Sequence, residues 1–318
     1  MRIAYIISAY TDPENLKRLV DALGNQTFFV HVDKNVSDDP FTTILKENRN
    51  VVFLQNRVRV SWGGYSQVEY QKRLLQEVRR TGPYDRVVCL TGTDYPAMSA
   101  SEIESIFKKE AGHEFLRAEC ITGNNKQSSK VKRYWKFDYN IKSFIVKRIA
   151  RGVRNRVIGR FLYQIGIKKQ DVLNYGKMGG IWKIYFGSDY WGLTYDCAMM
   201  VLDKLENDIR LYKYFKSAYA PSELVIPTIV CNSLYAVNVD KIYDEEQSYE
   251  NLCALHYLIY DPLVRVMTEE NYDDIIKSGK MFFRKAKTGE SNRLIQMLSG
   301  KNEEKNESVI SNECAVSI

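Results

Sequence analysis

The stretch Ala218-Tyr219-Ala220-Pro221-Ser222-Glu223-Leu224-Val225-Ile226-Pro227-Thr228 sets a carboxylate where proton abstraction is chemically reasonable. The residue ahead of Pro221 is pushed out of the α region, so 219–221 reads as a turn. Ser222 follows as the expected N-cap of a new helix, which puts Glu223 in its first turn. There the helix dipole favours the ionised form. Pro227 has no N–H to offer the carbonyl of Glu223, and the helix start is left partly open. A carboxylate in that setting suits a general base acting on a bound hydroxyl. On this stretch alone a surface glutamate that complements the dipole is the more ordinary reading.

Other chemistry-bearing residues fall at the ends of predicted strands. Residues 3–8, 28–33, 51–54, 85–90 and 114–118 are short runs rich in β-branched and aromatic residues. Helical patterns with caps or stops lie between them, beginning near residue 14 and over 66–80 and 101–110. This alternation predicts an α/β fold, a doubly wound sheet with flanking helices. In such sheets ligands bind at the carboxyl ends of the strands. Ala9 and Tyr10, His31 and Asp33, and Gly92 to Asp94 all fall there, which points to a nucleotide-type site. The usual fingerprints do not accompany it. The chain has no GxGxxG, P-loop, HExxH, GxSxG or Cys/His cluster. It also has no Asp-x-Asp, the pair with which sugar-nucleotide enzymes commonly hold a metal. Glu206-x-Asp208 is the nearest approach and reads as the solvated face of a helix.

The bulk composition is that of a globular chain: 318 residues, 45 % apolar, 12 % aromatic, with 22 tyrosines. The six cysteines show neither CxxC nor zinc spacing and read as reduced thiols. Residues 2–7 are strand-like, too short for a signal peptide and without a cleavage site. No 18-residue apolar run exists, so a soluble cytoplasmic protein is expected.

Set in order, several segments resemble one family. Val58-x-Val60-Ser61-Trp62-Gly63-Gly64-Tyr65-Ser66 is similar to the WGG-x-S segment of the family-14 glycosyltransferases. These comprise the core-2/I-branching β-1,6-N-acetylglucosaminyltransferases and the peptide O-xylosyltransferases. His31-Val32-Asp33-Lys34, Leu90-Thr91-Gly92-Thr93-Asp94-Tyr95-Pro96 and Gly187-Ser188-Asp189-Tyr190-Trp191-Gly192-Leu193 resemble further motifs of the family. So do Pro221-Ser222-Glu223 with Thr228 and Asn232-Ser233, and Met281-Phe282-Phe283-Arg284-Lys285. The resemblance implies a modified GT-A-like mixed sheet without Asp-x-Asp and an inverting, metal-independent transfer from a UDP-sugar. N-acetylglucosamine from UDP-GlcNAc is the expected donor sugar, with xylose as the alternative, and a glycan or lipid-linked glycan is the acceptor.

By the same resemblance Glu223 is the base and Lys285 the cation that meets the departing diphosphate. The family's upstream arginine is replaced by His256, so Arg284 is a second candidate for that duty. Ala9, Tyr10, His31, Asp33, Trp62 and Asp94 are expected around the donor. Ser188, Trp191 and Tyr219 are expected on the acceptor side. No metal ligand and no other cofactor is expected.

Residues 126–169 hold fourteen Lys and Arg against one acid, Asp138, within a chain of net charge +7. Inside this run Ile141, Ile145, Ile149, Val153, Val157, Phe161 and Ile165 recur every four residues, a spacing that spirals about 40° per step on an α-helix. Gly152 and Gly159 are expected to break it. A helical hairpin over the sheet with a solvated basic side is one reading; an anionic membrane surface, at the inner face of the cytoplasmic membrane, is the other. Nucleic acid is not expected. The expected organisation is one domain over 1–300: a nucleotide half (1–120), a basic helical insertion (121–180) and an acceptor half (181–300). Residues 301–318 read as a polar tail. The rival from another class is a catalytically inactive basic membrane-binding module.

Overall fold

Alternation along the first strand explains the layering. In a computed structural model of the chain, which describes residues 1–123, 126–138, 144–176, 179–261 and 263–300, β1 (Ile3–Ala9) lies at the centre of the main sheet. Its side chains alternate in direction. Ala4 and Ile6 enter one apolar core, and Ile3, Tyr5 and Ile7 the other. Both faces are thus covered, as a largely apolar interior strand requires.

The further strands are β2 (Thr27–Val32), β3 (Val51–Phe53), β4 (Arg86–Thr91), β5 (Asp94–Pro96), β6 (Glu114–Cys120), β7 (Val172–Gly176) and β8 (Gly180–Lys183). They continue with β9 (Tyr185–Gly187), β10 (Gly192–Thr194), β11 (Val239–Tyr243), β12 (His256–Tyr257) and β13 (Phe282–Arg284). The main sheet runs β11-β6-β10-β4-β1-β2-β3, with β9 paired to β6. Strands β4, β1, β2 and β3 are mutually parallel, while β10 is antiparallel to both of its neighbours. This is a mixed α/β sheet flanked by helices. Helices Pro13–Leu23 and Ala100–Lys109 cover one face; Ser66–Thr81, Tyr195–Asn207 and Ser222–Cys231 cover the other.

The local rules behind these elements are visible. Asp12 caps the first helix through Asn15 N–H, and Ser99 with Glu102 forms a capping box for the helix Ala100–Lys109. Glu114 accepts hydrogen bonds from the backbone and hydroxyl of Thr194, fixing the end of β10. Buried Arg86 donates to the carbonyls of His113 and Gly192 and lies between the rings of Phe107 and Phe115.

The stretch that follows β4 adds a strand that the sequence reading does not name: Asp94–Pro96 forms β5 in a second sheet, order β12-β13-β5. One local expectation changes. The helix at Ser222 is not capped by that serine. Pro221 occupies the N-cap position and no side chain supplies a cap bond. Among the described residues no helix is long and apolar enough to cross a membrane. The proposed tail 301–318 and Ile141 lie outside the described residues.

Candidate active site

A cleft of about 840 Å³ opens at the carboxyl ends of β1, β2 and β4. Ser8, Ala9 and Tyr10 line it from β1, His31 and Asp33 from β2, Leu90 and Thr91 from β4. Trp62, Tyr219, Glu223, Arg284 and Lys285, remote in sequence, complete the same wall.

Glu223 is held by the keying of its helix to β9. Thr228 Oγ1 accepts from Tyr185 N–H at 3.0 Å, and the Asn232 amide both accepts from and donates to the backbone of Lys183. Pro227 packs where a Cβ on Gly187 would come within 2.9 Å of its ring. Ala220 takes the left-handed conformation (φ 48°), a cost for a residue with a Cβ, and its N–H reaches Gly63 O at 3.2 Å. The turn therefore aims the first residues of the helix into the cleft.

Burial pushes the Glu223 carboxyl up to about 7; the Lys130 ammonium beside it opposes that rise, and Asp189 adds to it. Lys130 Nζ lies 3.8 Å from Glu223 Oε2, over the rings of Phe186 and Tyr219 at 4.1 and 4.8 Å. The two side chains keep 15 % and 19 % of their surface exposed, so the pair is desolvated yet reachable. Burial also lowers the affinity of Lys130 for its proton. Asp189 lines the cleft as well, and burial raises its carboxyl above the usual range.

The cationic wall depends on the second sheet. Antiparallel pairing of β13 with β5 sets Arg284 opposite Asp94. Arg284 Nη1 donates to Asp94 Oδ1 at 2.7 Å, to Thr93 Oγ1 at 2.9 Å, and to Thr91 Oγ1. Asp94 also accepts from Thr91 N–H at 2.7 Å. Burial opposes its ionisation, but the guanidinium and these bonds outweigh it and hold the carboxyl at about 2. Lys285 follows on the cleft wall; burial, and then repulsion from Arg284, make its ammonium easier to deprotonate. At the end of β2, His31 Nε2 accepts from Val58 N–H at 2.9 Å, which assigns the ring proton to Nδ1. That Nδ1 has no protein partner among the described residues. Burial lowers the His31 pKa to about 4, so the ring is neutral, stacked 5.0 Å from Tyr70. Asp33 Oδ1 accepts from the N–H groups of Asn35 and Val60.

Four expected roles are corrected by this geometry. Asp94 is fully buried behind Arg284 and supports it rather than facing the cleft. His256 is also buried; burial favours its neutral ring, whose Nε2 lies 3.2 Å from Asp94 Oδ2. It therefore does not replace an arginine clamp, and the guanidinium on the cleft wall is that of Arg284. Ser188 is buried, with its hydroxyl accepting from Tyr190 N–H. Trp191 has no exposed surface and belongs to the core; its carbonyl accepts from Cys89 N–H. The exposed indole on the cleft is Trp62, edge-on to Tyr219 at 5.7 Å.

Lys130, Asp189 and Tyr249 were missed. Lys130 is one basic residue in a basic run, and nothing local separates it from its neighbours. Asp189 sits inside a quoted motif, where the two-residue alternation that buries Ser188 and Tyr190 gives no sign that its carboxyl lines the cleft. Tyr249 lines the cleft and favours the ionised form of Glu223 from a segment without any motif. Among the described residues no three His, Cys, Asp or Glu side chains converge as metal ligands.

An α/β sheet with a carboxylate and fixed cations around a cleft at its strand ends has the layout of a group-transfer enzyme for anionic leaving groups. The chain matches the Core-2/I-Branching enzyme family over residues 3–242 and belongs to it. It is similar to Xylosyltransferase 2 of Canis lupus familiaris, 27 % identical over 125 residues that cover 37 % of this chain. The match spans only 14 % of that relative's length. Among solved structures, a glucose-1-phosphate thymidylyltransferase from Bacillus anthracis aligns with TM-score 0.34 and 11 % identity, over 77 % of this chain and 87 % of that one. A mannose-1-phosphate geranyltransferase from Thermus thermophilus aligns with TM-score 0.31 and 9 % identity, over 77 % and 75 %. Likenesses this low carry no functional argument.

Proposed function

We propose that the protein transfers N-acetylglucosamine from UDP-GlcNAc to a hydroxyl of a glycan or lipid-linked glycan, with inversion to a β linkage and without a metal. The observation that carries this reading is one cleft lined both by a carboxylate raised to about 7 and by Arg284 and Lys285. Glu223 takes the acceptor proton as the acceptor oxygen bonds to the sugar C1. The bond from C1 to the diphosphate oxygen breaks, and the electron pair leaves with UDP. The negative charge that develops there meets Arg284, fixed by Asp94, and Lys285, duties that a divalent ion has in many transferases. Asp33 offers an acceptor to the uridine, and Trp62 with Tyr219 offers apolar ring surface to a sugar.

A UDP-xylose donor is the second reading, favoured by the similarity to Xylosyltransferase 2. A panel of UDP-sugars followed for slow hydrolysis in the presence of chelator separates the two. Preferential turnover of UDP-GlcNAc is expected. Turnover of UDP-xylose alone would move the donor assignment, and activity only after manganese is added would overturn the metal-free mechanism.

A further inference from the structure

The helical segment spanning Phe144–Gly152, Val153–Ile158 and Gly159–Gln164 turns its apolar stripe outward, not onto the sheet. Ile145, Ile149, Val153, Val157, Phe161 and Ile165 are each between 49 % and 70 % exposed. The inward face is polar: Asn155, 3 % exposed, exchanges two hydrogen bonds with the backbone of Lys136, and Gly159 packs against Tyr134 O. The glycines do not break the helix, since both keep helical dihedrals. The segment changes geometry between them, because Val153–Ile158 is a π turn. On an α-helix a four-residue step overshoots a turn by about 40°, whereas in the wider π turn it falls short. The π turn thus resets the drift and keeps the six residues on one stripe about 30 Å long at 1.5 Å per residue.

An exposed apolar stripe of this length marks a contact surface. Its borders say which kind. Arg148, Arg156, Arg160 and Lys168 are exposed beside it, and no acid occurs between residues 144 and 170. A second copy docked on this face would oppose arginine to arginine, whereas a layer of anionic headgroups over acyl chains complements both features. We propose that this helix lies in the headgroup plane of an anionic phospholipid bilayer, with the stripe inserted and the basic residues at the phosphates. The surface adjoins the cleft. Arg151 lies over Phe137 at 5.6 Å, Phe137 meets Trp62 edge-on at 6.3 Å, and Trp62 lines the cleft. An acceptor held in the bilayer would therefore approach from the Trp62 side. That extension rests on the proposed transfer; the bilayer contact does not.

The test is sedimentation of the full chain with vesicles of phosphatidylcholine alone or with about 30 % phosphatidylglycerol. The wild type should sediment with the anionic vesicles only. Changing Arg148, Arg156, Arg160 and Lys168 to Gln should weaken binding roughly a hundredfold or more, at the affinity expected per basic side chain near such a surface. Changing Ile149, Val153 and Val157 to Asn should weaken it about tenfold or more through lost apolar burial, with an unchanged circular-dichroism spectrum and unfolding midpoint as the check on folding. Phe161→Trp, a mild change, should show a blue-shifted emission on adding anionic vesicles. Absence of wild-type binding, binding indifferent to the Asn substitutions, or unshifted Trp emission would overturn the proposal. So would a dimer seen by light scattering that the Asn substitutions abolish.

Discussion

Asp94→Asn removes one charge from the buried support of Arg284 while keeping the side chain's size. In the folded protein the Asp94 carboxyl sits at about 2 although burial alone would raise it, so its partners more than repay the desolvation. Against the ordinary value of 3.8 this lowering corresponds to roughly 2 kcal/mol of stability. The substitution also takes from the Arg284 guanidinium, with only 10 % of its side chain exposed, the carboxylate with which it is ion-paired. Breaking a buried pair in this way costs about 3–5 kcal/mol, and that range is expected for the variant at pH 7. The sign of the pH dependence follows from the lowered value. The contribution is complete above the unfolded value near 4 and is lost as pH falls through about 2. Urea unfolding of wild type and variant should therefore differ by a constant amount from pH 7 to pH 5, with the gap narrowing as pH falls further. Equal stability at pH 7, or a gap unchanged in acid, would refute the reasoning.

Because the Glu223 carboxyl is raised to about 7 and must be ionised to accept a proton, kcat/KM should rise with pH through that value. Lys130→Met removes a cation that opposes the rise, so this acid limb should move to higher pH; a limb left in place would separate the two groups. Lys285→Ala should slow transfer by an amount equivalent to ~3–4 kcal/mol and weaken UDP binding by calorimetry, while wild-type activity survives EDTA. Trp62→Ala should raise the acceptor KM about tenfold, as loss of aromatic contact implies, and leave donor hydrolysis unchanged.

The framework was legible because it rests on local rules. The strands around Ile3, Phe28, Val51 and Val87 and the helices between them follow from apolar periodicity and caps, with ends shifted by a residue or so. The cleft wall of Ala9, Tyr10, His31 and Asp33 follows from the placement of ligands at strand ends. The tertiary pairings were not legible. Asp94 and Arg284 meet only because β5 and β13 pair across 190 residues of chain, and no pattern near either predicts it. Lys130 was hidden by the charge of its surroundings. Trp191 and Trp62 are identical as letters, and only packing buries one ring in the core and leaves the other 62 % exposed at the cleft. The four-residue apolar repeat spirals on an ideal α-helix, and the π turn that corrects it has no clear sequence signature.

The central claim is that Glu223 is the base in a metal-free transfer. Single-turnover transfer by Glu223→Gln, measured beside its UDP affinity, tests it most directly. Loss of the basic site with shape retained should slow the chemical step by ~10²–10⁴ and leave UDP binding unchanged. Transfer at close to the wild-type rate would contradict the account and place the base elsewhere in the cleft.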